Sequence, residues 1–159
     1  MAIAAKRQTL DQPLVAARAR ITRYEPTDVF AALESGALLI DIRSDHDRDC
    51  DGIIPGSLHV PRTVLEWRLE PTSNWRNPHV RDLDQQIILI CDHGCSSILA
   101  AATLVDLGFA RAGDVIGGYA AWSRAGLATA PCPAAQREPG EPAGMRAPAA
   151  LGRCEEVAP

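Results

Sequence analysis

No apolar run in the 159-residue sequence approaches the roughly 20 residues needed to span a bilayer. No signal-peptide core follows its first basic residues either. Membrane insertion and export are therefore not expected, and the cytoplasm is the compartment that fits. The five cysteines are an odd set, scattered at 50, 91, 95, 132 and 154 without a pair of Cys-x-x-Cys motifs. This argues against a disulfide framework and a structural zinc site, and leaves the thiols reduced and free for chemistry. Positive charge is scarce too. The net charge is −4, and residues 24–130 hold eight Arg against fifteen acids. An acidic central region argues against a general nucleic-acid or anionic-membrane binder. No internal repeat is visible.

What remains is 47% hydrophobic and 23% charged, enough for one core. Residues 1–22 lack a clear core pattern and carry four of the chain's basic residues against Asp11 alone. They read as a partly flexible N-terminal arm, with Leu14, Val15 and Ile21 able to dock on the domain. From 131 to 159, six Pro, three Gly and seven Ala fill 29 residues without an aromatic. That is too little apolar surface to offset the entropy of ordering, so a disordered tail is expected. The folded domain is expected over 23–130.

Within the domain, Arg23-Tyr24 reads as a short edge strand. Pro26 suits a first helical turn, Val29, Phe30 and Leu33 supply an apolar face, and Gly36 closes that helix. Residues 37–42 read as a buried strand. The charged run 43–52 reads as a surface loop whose spacing lacks the closing Glu of a calcium loop. A short strand at 57–60, a helical pattern at 62–69 and a long connection over 71–85 follow. After the central segment, the spacing predicts a helix over 97–107, a strand over 114–116 and a helix over 119–124.

The central segment is 86–97, Gln-Ile-Ile-Leu-Ile-Cys-Asp-His-Gly-Cys-Ser-Ser. Its Ile-rich run suits a strand buried on both faces of a parallel sheet. Ile98, Ala101, Ala102 and Val105 then repeat at helical spacing. Cys91 thus falls at the carboxyl end of a buried strand, just before a helix N-terminus, where open α/β sheets keep their ligand crevices. Helix-terminal N–H groups favour a thiolate, the reactive form of cysteine. The six amides that follow Cys91 are placed to curl around an anion, and Gly94 permits the tight path.

Cys-Asp-His-Gly-Cys-Ser-Ser (91–97), the helix sequence behind it (99–109) and Val-Ile-Gly-Gly-Tyr-Ala-Ala-Trp (115–122) are similar to a single-domain rhodanese. Upstream, Leu-Leu-Ile-Asp-Ile-Arg (38–43) and Gly-Ile-Ile-Pro-Gly-Ser (52–57) match the family's other signatures in the right order. The resemblance spans about 23–129. It implies a three-layer α/β domain, with a mainly parallel central sheet of about five strands and helices on both faces. It also implies sulfur transfer: Cys91 takes a sulfane sulfur from thiosulfate or a persulfide and passes it to a thiol or cyanide. Asp92, His93, Gly94, Cys95, Ser96 and Ser97 would line the substrate. No cofactor or metal is implied. The partners would be small sulfur-containing substrates, thiol acceptors, or a protein that accepts sulfur.

Two departures qualify this expectation. The family commonly has Cys-x-x-Gly-x-Arg-Ser, and Ser96 stands at the Arg position. A guanidinium fork suited to thiosulfate's oxygens is missing there. Arg43 and Arg62, which follow strands ending at the same sheet edge, are candidates to supply the charge. The second departure is Cys95, a thiol close enough in sequence to attack a Cys91 persulfide or resolve a sulfenic acid. His93 reads as a rim residue, and His59 as structural. A Cys-x5-Arg phosphatase is disfavoured because position 97 is Ser. A metal site is disfavoured because Cys91, His93 and Cys95 lack a second ligand cluster. The competing reading is a non-catalytic module of this fold that binds a partner or senses oxidants.

Overall fold

The Ile-rich run forms β4 (Ile87–Ile90), whose four side chains are wholly buried. The computed structural model describes residues 7–133. Its elements, in order, are α1 (Asp11–Arg18), β1 (Thr22–Tyr24), α2 (Val29–Glu34), β2 (Leu38–Asp41), α3 (Asp45–Asp51) and β3 (Leu58–His59). These are followed by α4 (Leu65–Leu69), β4, α5 (Ser96–Asp106), β5 (Ala112–Val115) and α6 (Gly118–Arg124). The five strands form one sheet in the order β1-β5-β4-β2-β3, and every pairing is parallel.

Strand alternation splits β4 between two cores. Ile87 and Leu89 pack with Leu65 and Leu69 of α4 and with Ala100, Ala101 and Leu104 of α5. Ile88 and Ile90 face the other side, with Val29 of α2 and Tyr119 and Trp122 of α6. Both faces are covered, which is why the strand sequence is apolar throughout. From β4 the chain crosses to β5 on one side, and from β2 to β3 on the other. The loops after β2 and β4 therefore diverge, leaving a crevice at their carboxyl ends. Cys91 is the first residue past β4.

Two segments differ from the sequence expectation. Residues 11–18 form a helix, and Leu14 and Ala17 pack with Ile21 against Ile98, Leu99 and Ala102, while Val15 stays exposed. The charged run expected as a loop contains the helix α3. Ser44 caps it: its Oγ accepts the Asp47 N–H at 3.1 Å, and its hydroxyl donates back to Asp47 Oδ2 at 2.5 Å. This reciprocal cap outweighs the helix's lack of an apolar stripe. The expected disordered tail lies outside the described residues from 134 onward, as do Cys154 and residues 1–6. The last described stretch is fastened by an antiparallel bridge between Ile53 and Ala130.

His59 on β3 donates from Nε2 to the Arg43 carbonyl at 2.8 Å, the structural part its sequence position indicated. Burial, then Arg48, holds its imidazole below the ordinary value of 6.5. The unfolded chain therefore binds a proton near 6.5 that the folded chain refuses, and this share of stability is lost as pH falls below that point. Denaturant titrations between about pH 7.5 and 5.5 are expected to show this loss, and His59→Gln to reduce it.

Candidate active site

Cys91 is 2% exposed, with its sulfur under the loop that it begins. The Gly94 N–H donates to Sγ at 3.1 Å. Gly94 holds φ at +73°, a left-handed conformation that turns its amide back toward the strand end. Cys95 forms the N-terminal boundary of α5, so the positive end of that helix dipole lies over the sulfur. Ser97, fully buried in the first turn, accepts the Cys91 thiol proton at 3.3 Å.

The loop is braced from outside by α6. The Tyr119 N–H donates to the Cys91 carbonyl at 2.8 Å, and the Ala120 N–H to the Asp92 carbonyl at 2.9 Å. Two glycine backbones make this approach possible. A Cβ on Gly94 would lie 2.5 Å from the Gly117 nitrogen, and one on Gly118 would meet the Cys91 carbonyl oxygen and lie 2.7 Å from Asp92 O. The Gly117-Gly118 pair, at the start of α6, thus locks the Cys91 loop. Gly118→Ala combines that clash with a strained φ of +59°. We expect it to cost about 2 kcal/mol or more in a denaturant titration, and to loosen the sulfur site.

The structure places Asp92, His93 and Cys95 at the outer surface of the loop. His93 and Cys95 are exposed, and Cys95 Sγ is directed at the His93 carbonyl, 3.9 Å away. Asp92 is partly buried; burial and then Asp47 push its carboxyl up, while Arg43 pulls it down. Arg43 and Arg62, the candidates for the missing charge, are each paired with a carboxylate, and Arg43 Nη1 also lies 3.9 Å from Asp92 of the loop. Arg43 is wholly buried against Asp41, and Arg62 pairs with Glu66 at 2.7 Å. Their positions after β2 and β3 carried them to the right edge of the sheet, but local carboxylates hold both side chains.

Two residues that the sequence did not single out complete the site. Ser97 Oγ–H donates to Asp114 Oδ2 at 2.8 Å, and Asp114 is fully buried on β5. Arg23 on β1 clamps that carboxylate with two bonds, of 2.8 and 3.0 Å. Its Nη2 also donates to the Gly94 carbonyl at 3.2 Å. Arg23 and Asp114 are direct partners in the parallel ladder. The usable signal was an ionisable residue on each of two predicted strands, but strand pairing over this sequence distance is not readable locally.

The site thus combines a strand-end thiol, a loop whose left-handed Gly94 turns its N–H to the sulfur, and a glycine pair docking on that loop. The family model for the Rhodanese-like domain matches residues 25–125. This chain belongs to the rhodanese-like family. Thiosulfate sulfurtransferase GlpE of Stutzerimonas stutzeri is 34% identical over 100 residues, covering 63% of this chain and 83% of the relative. The protein of that name from Haemophilus influenzae strain PittEE is 32% identical over 103 residues, covering 64% and 88%. Among solved structures, a Rhodopseudomonas palustris protein superposes with a TM-score of 0.71 at 29% identity, covering 82% of this chain and 98% of its own. It is described as a protein of unknown function and a possible tyrosine phosphatase. The human single-domain sulfurtransferase TSTD1, at 24% identity and a TM-score of 0.54, covers 66% and 96% and shows the shared fold. The expected rhodanese-like α/β architecture is thus met. No described helix is long and apolar enough to cross a membrane.

Proposed function

We propose that this rhodanese-like chain is a sulfurtransferase that carries a sulfane sulfur on Cys91, within a catalytic unit spanning 23–130. The observation that carries the reading is the buried Cys91 sulfur receiving the Gly94 N–H at 3.1 Å, an arrangement suited to an anionic sulfur. The relatives named thiosulfate sulfurtransferase support the reaction class.

In the first half-reaction the Cys91 thiolate attacks the outer sulfur of thiosulfate, the S–S bond to the sulfonate sulfur breaks, and sulfite leaves with the electron pair. A persulfide donor reacts in the same way and leaves as a thiolate. In the second half-reaction, cyanide or a thiolate attacks the terminal sulfur of the Cys91 persulfide. Thiocyanate or a new persulfide leaves, and the Cys91 thiolate is restored. No oxidant is consumed and no cofactor enters. The amides of Asp92 to Ser97 hold the anionic sulfur, and Asp92, His93 and Cys95 meet what approaches it. With Ser96 in place of the loop arginine, a persulfide donor is favoured over thiosulfate. Arg43 and Arg62 are left to the loops that they brace. The acceptor is a small thiol or a protein thiol in the cytoplasm. Cys95, exposed at the loop surface, is the candidate second thiol.

The test is peptide mass spectrometry after incubation with thiosulfate, and separately with a low-molecular-weight persulfide. One sulfur atom added to the Cys91 peptide, then removed by cyanide with thiocyanate formed, is the expected result. Labelling by the persulfide alone would assign the donor. Absence of label from both, with folded protein and reduced thiols, would overturn the proposal and favour a non-catalytic binding or redox-sensing module.

A further inference from the structure

Around the Cys91 loop, the charged and titratable groups come from several elements. Asp92, His93 and Cys95 lie on the loop, Asp114 comes from β5 and Arg23 from β1. Tyr119 comes from α6, and Arg43, after β2, reaches Asp92 at 3.9 Å. Asp114 is the group that opposes an anionic sulfur. It is wholly buried and lies one hydroxyl away: Cys91 Sγ–H to Ser97 Oγ at 3.3 Å, then Ser97 Oγ–H to Asp114 Oδ2 at 2.8 Å. A buried carboxylate this close to a sulfur that must become anionic raises the free energy of the charged site.

Arg23 answers that charge. Its fork takes both Asp114 oxygens, and its Nη2 reaches past them to the Gly94 carbonyl. Gly94 is also the residue whose N–H donates to the sulfur. We infer that Arg23 is a positioning residue that neutralises Asp114 and fixes the Gly94 peptide so that the Cys91 sulfur can be held as an anion without an arginine at position 96.

Arg23 does not touch the reacting sulfur; it acts through Asp114 and Gly94. In keeping with this, hydrogen bonding to Asp114 is the main cause raising its guanidinium above the ordinary value, and the Cys91 and Cys95 sulfurs add to it. Ser97 then has two settings. Its hydroxyl donates to Asp114 while the thiol is protonated, and rotates to donate to the sulfur once that is charged. Asp114 keeps the Arg23 fork when the hydroxyl leaves. The inference deepens the sulfurtransferase reading, because it explains how a loop without arginine would hold an anionic sulfur.

The experiment is the pH dependence of iodoacetamide alkylation at Cys91, read on the Cys91 peptide of the full chain by mass spectrometry. Arg23→Gln is expected to move the half-maximal pH upward by roughly one unit, because it leaves the Asp114 charge uncompensated. Arg23→Lys should keep most of the wild-type position. Asp114→Asn leaves Arg23 as an unmatched positive charge and should move the midpoint downward. The double variant should lie near wild type. Misfolding would not move two single variants in opposite directions and then cancel in the double. An unchanged midpoint in folded Arg23→Gln, an upward shift in Asp114→Asn, or a double variant that keeps the Arg23→Gln shift would each overturn the inference. Alkylation needs no sulfur donor. If wild type fails to take up sulfur while these shifts occur, the sulfurtransferase proposal fails and the role of Arg23 stands.

Discussion

Cys91→Ser is expected to lower the rate of sulfur uptake by about 10,000-fold or more, to the level of uncatalysed exchange. The hydroxyl is a poor nucleophile toward a sulfane sulfur, and the partners that the described residues give the Cys91 sulfur are not bases strong enough to ionise it. Its immediate partners are a peptide N–H and the Ser97 hydroxyl. Those partners also make the variant easy to interpret, because both can bond a serine oxygen. The buried hydroxyl is therefore satisfied, and a stability change of about 1 kcal/mol or less is expected. Labelling of the Cys91 peptide with donor, checked beside a denaturation curve, separates lost chemistry from lost fold. A parallel Cys95→Ser variant should still load sulfur on Cys91. Sulfur found on Cys95 in the Cys91→Ser protein would move the nucleophile to the outer thiol.

The second large effect is expected in stability. Arg43 is fully buried, with Nε 3.0 Å and Nη2 2.8 Å from the two oxygens of Asp41. It also donates to the Gly52 carbonyl at 2.8 Å and stacks 3.7 Å above the Tyr119 ring. Burial pulls its guanidinium down, and Asp41 more than offsets this, leaving it above its ordinary value. Arg43→Met takes the guanidinium fork from the buried Asp41 carboxylate, which keeps the backbone N–H of residue 43 at 3.0 Å and Arg48, whose Nε is 3.3 Å away. Removing one partner of a buried pair costs about 3–5 kcal/mol. A urea titration is expected to show a loss of that size, with part of it restored by adding Asp41→Asn. The KM for whichever sulfur donor loads Cys91 should stay near the wild-type value in the remaining folded protein. A raised KM without destabilisation would instead put Arg43 on the donor.

The sequence made the sulfur site legible because its signals are local. Ile87 to Ile90 are apolar without a break, the loop has its glycine, and the apolar repeat beginning at Ile98 starts at once. A buried parallel strand feeding a helix accounts for that pattern. Less visible were features in which polar contacts outweigh apolar periodicity. The helix α3 has no apolar stripe and rests on the Ser44 cap and on Arg48 beneath it. The helix α1 offers a narrow face of small residues, and its partner surface on α5 lies far along the chain. Arg43 was legible as a charge at the sheet edge, but its direction was set by Asp41 two residues earlier. Arg23 and Asp114 escaped notice because their meeting depends on β1 pairing beside β5 rather than beside its neighbour in sequence.

The glycine contact between the loop and α6 also bears on how this protein can change over evolution. The amide frame is fixed by backbone packed on backbone at Gly94, Gly117 and Gly118. Side chains at 92, 93 and 95 take no part in that packing, and those of His93 and Cys95 face solvent. On the proposed function, the backbone that holds the sulfur and the side chains that meet the acceptor are therefore separate features of the chain. Mutation can retune the mouth at 93 and 95 without rebuilding the cradle. If the proposed sulfur transfer holds, a library randomised at those two positions is expected to sample new sulfur acceptors on an unaltered scaffold.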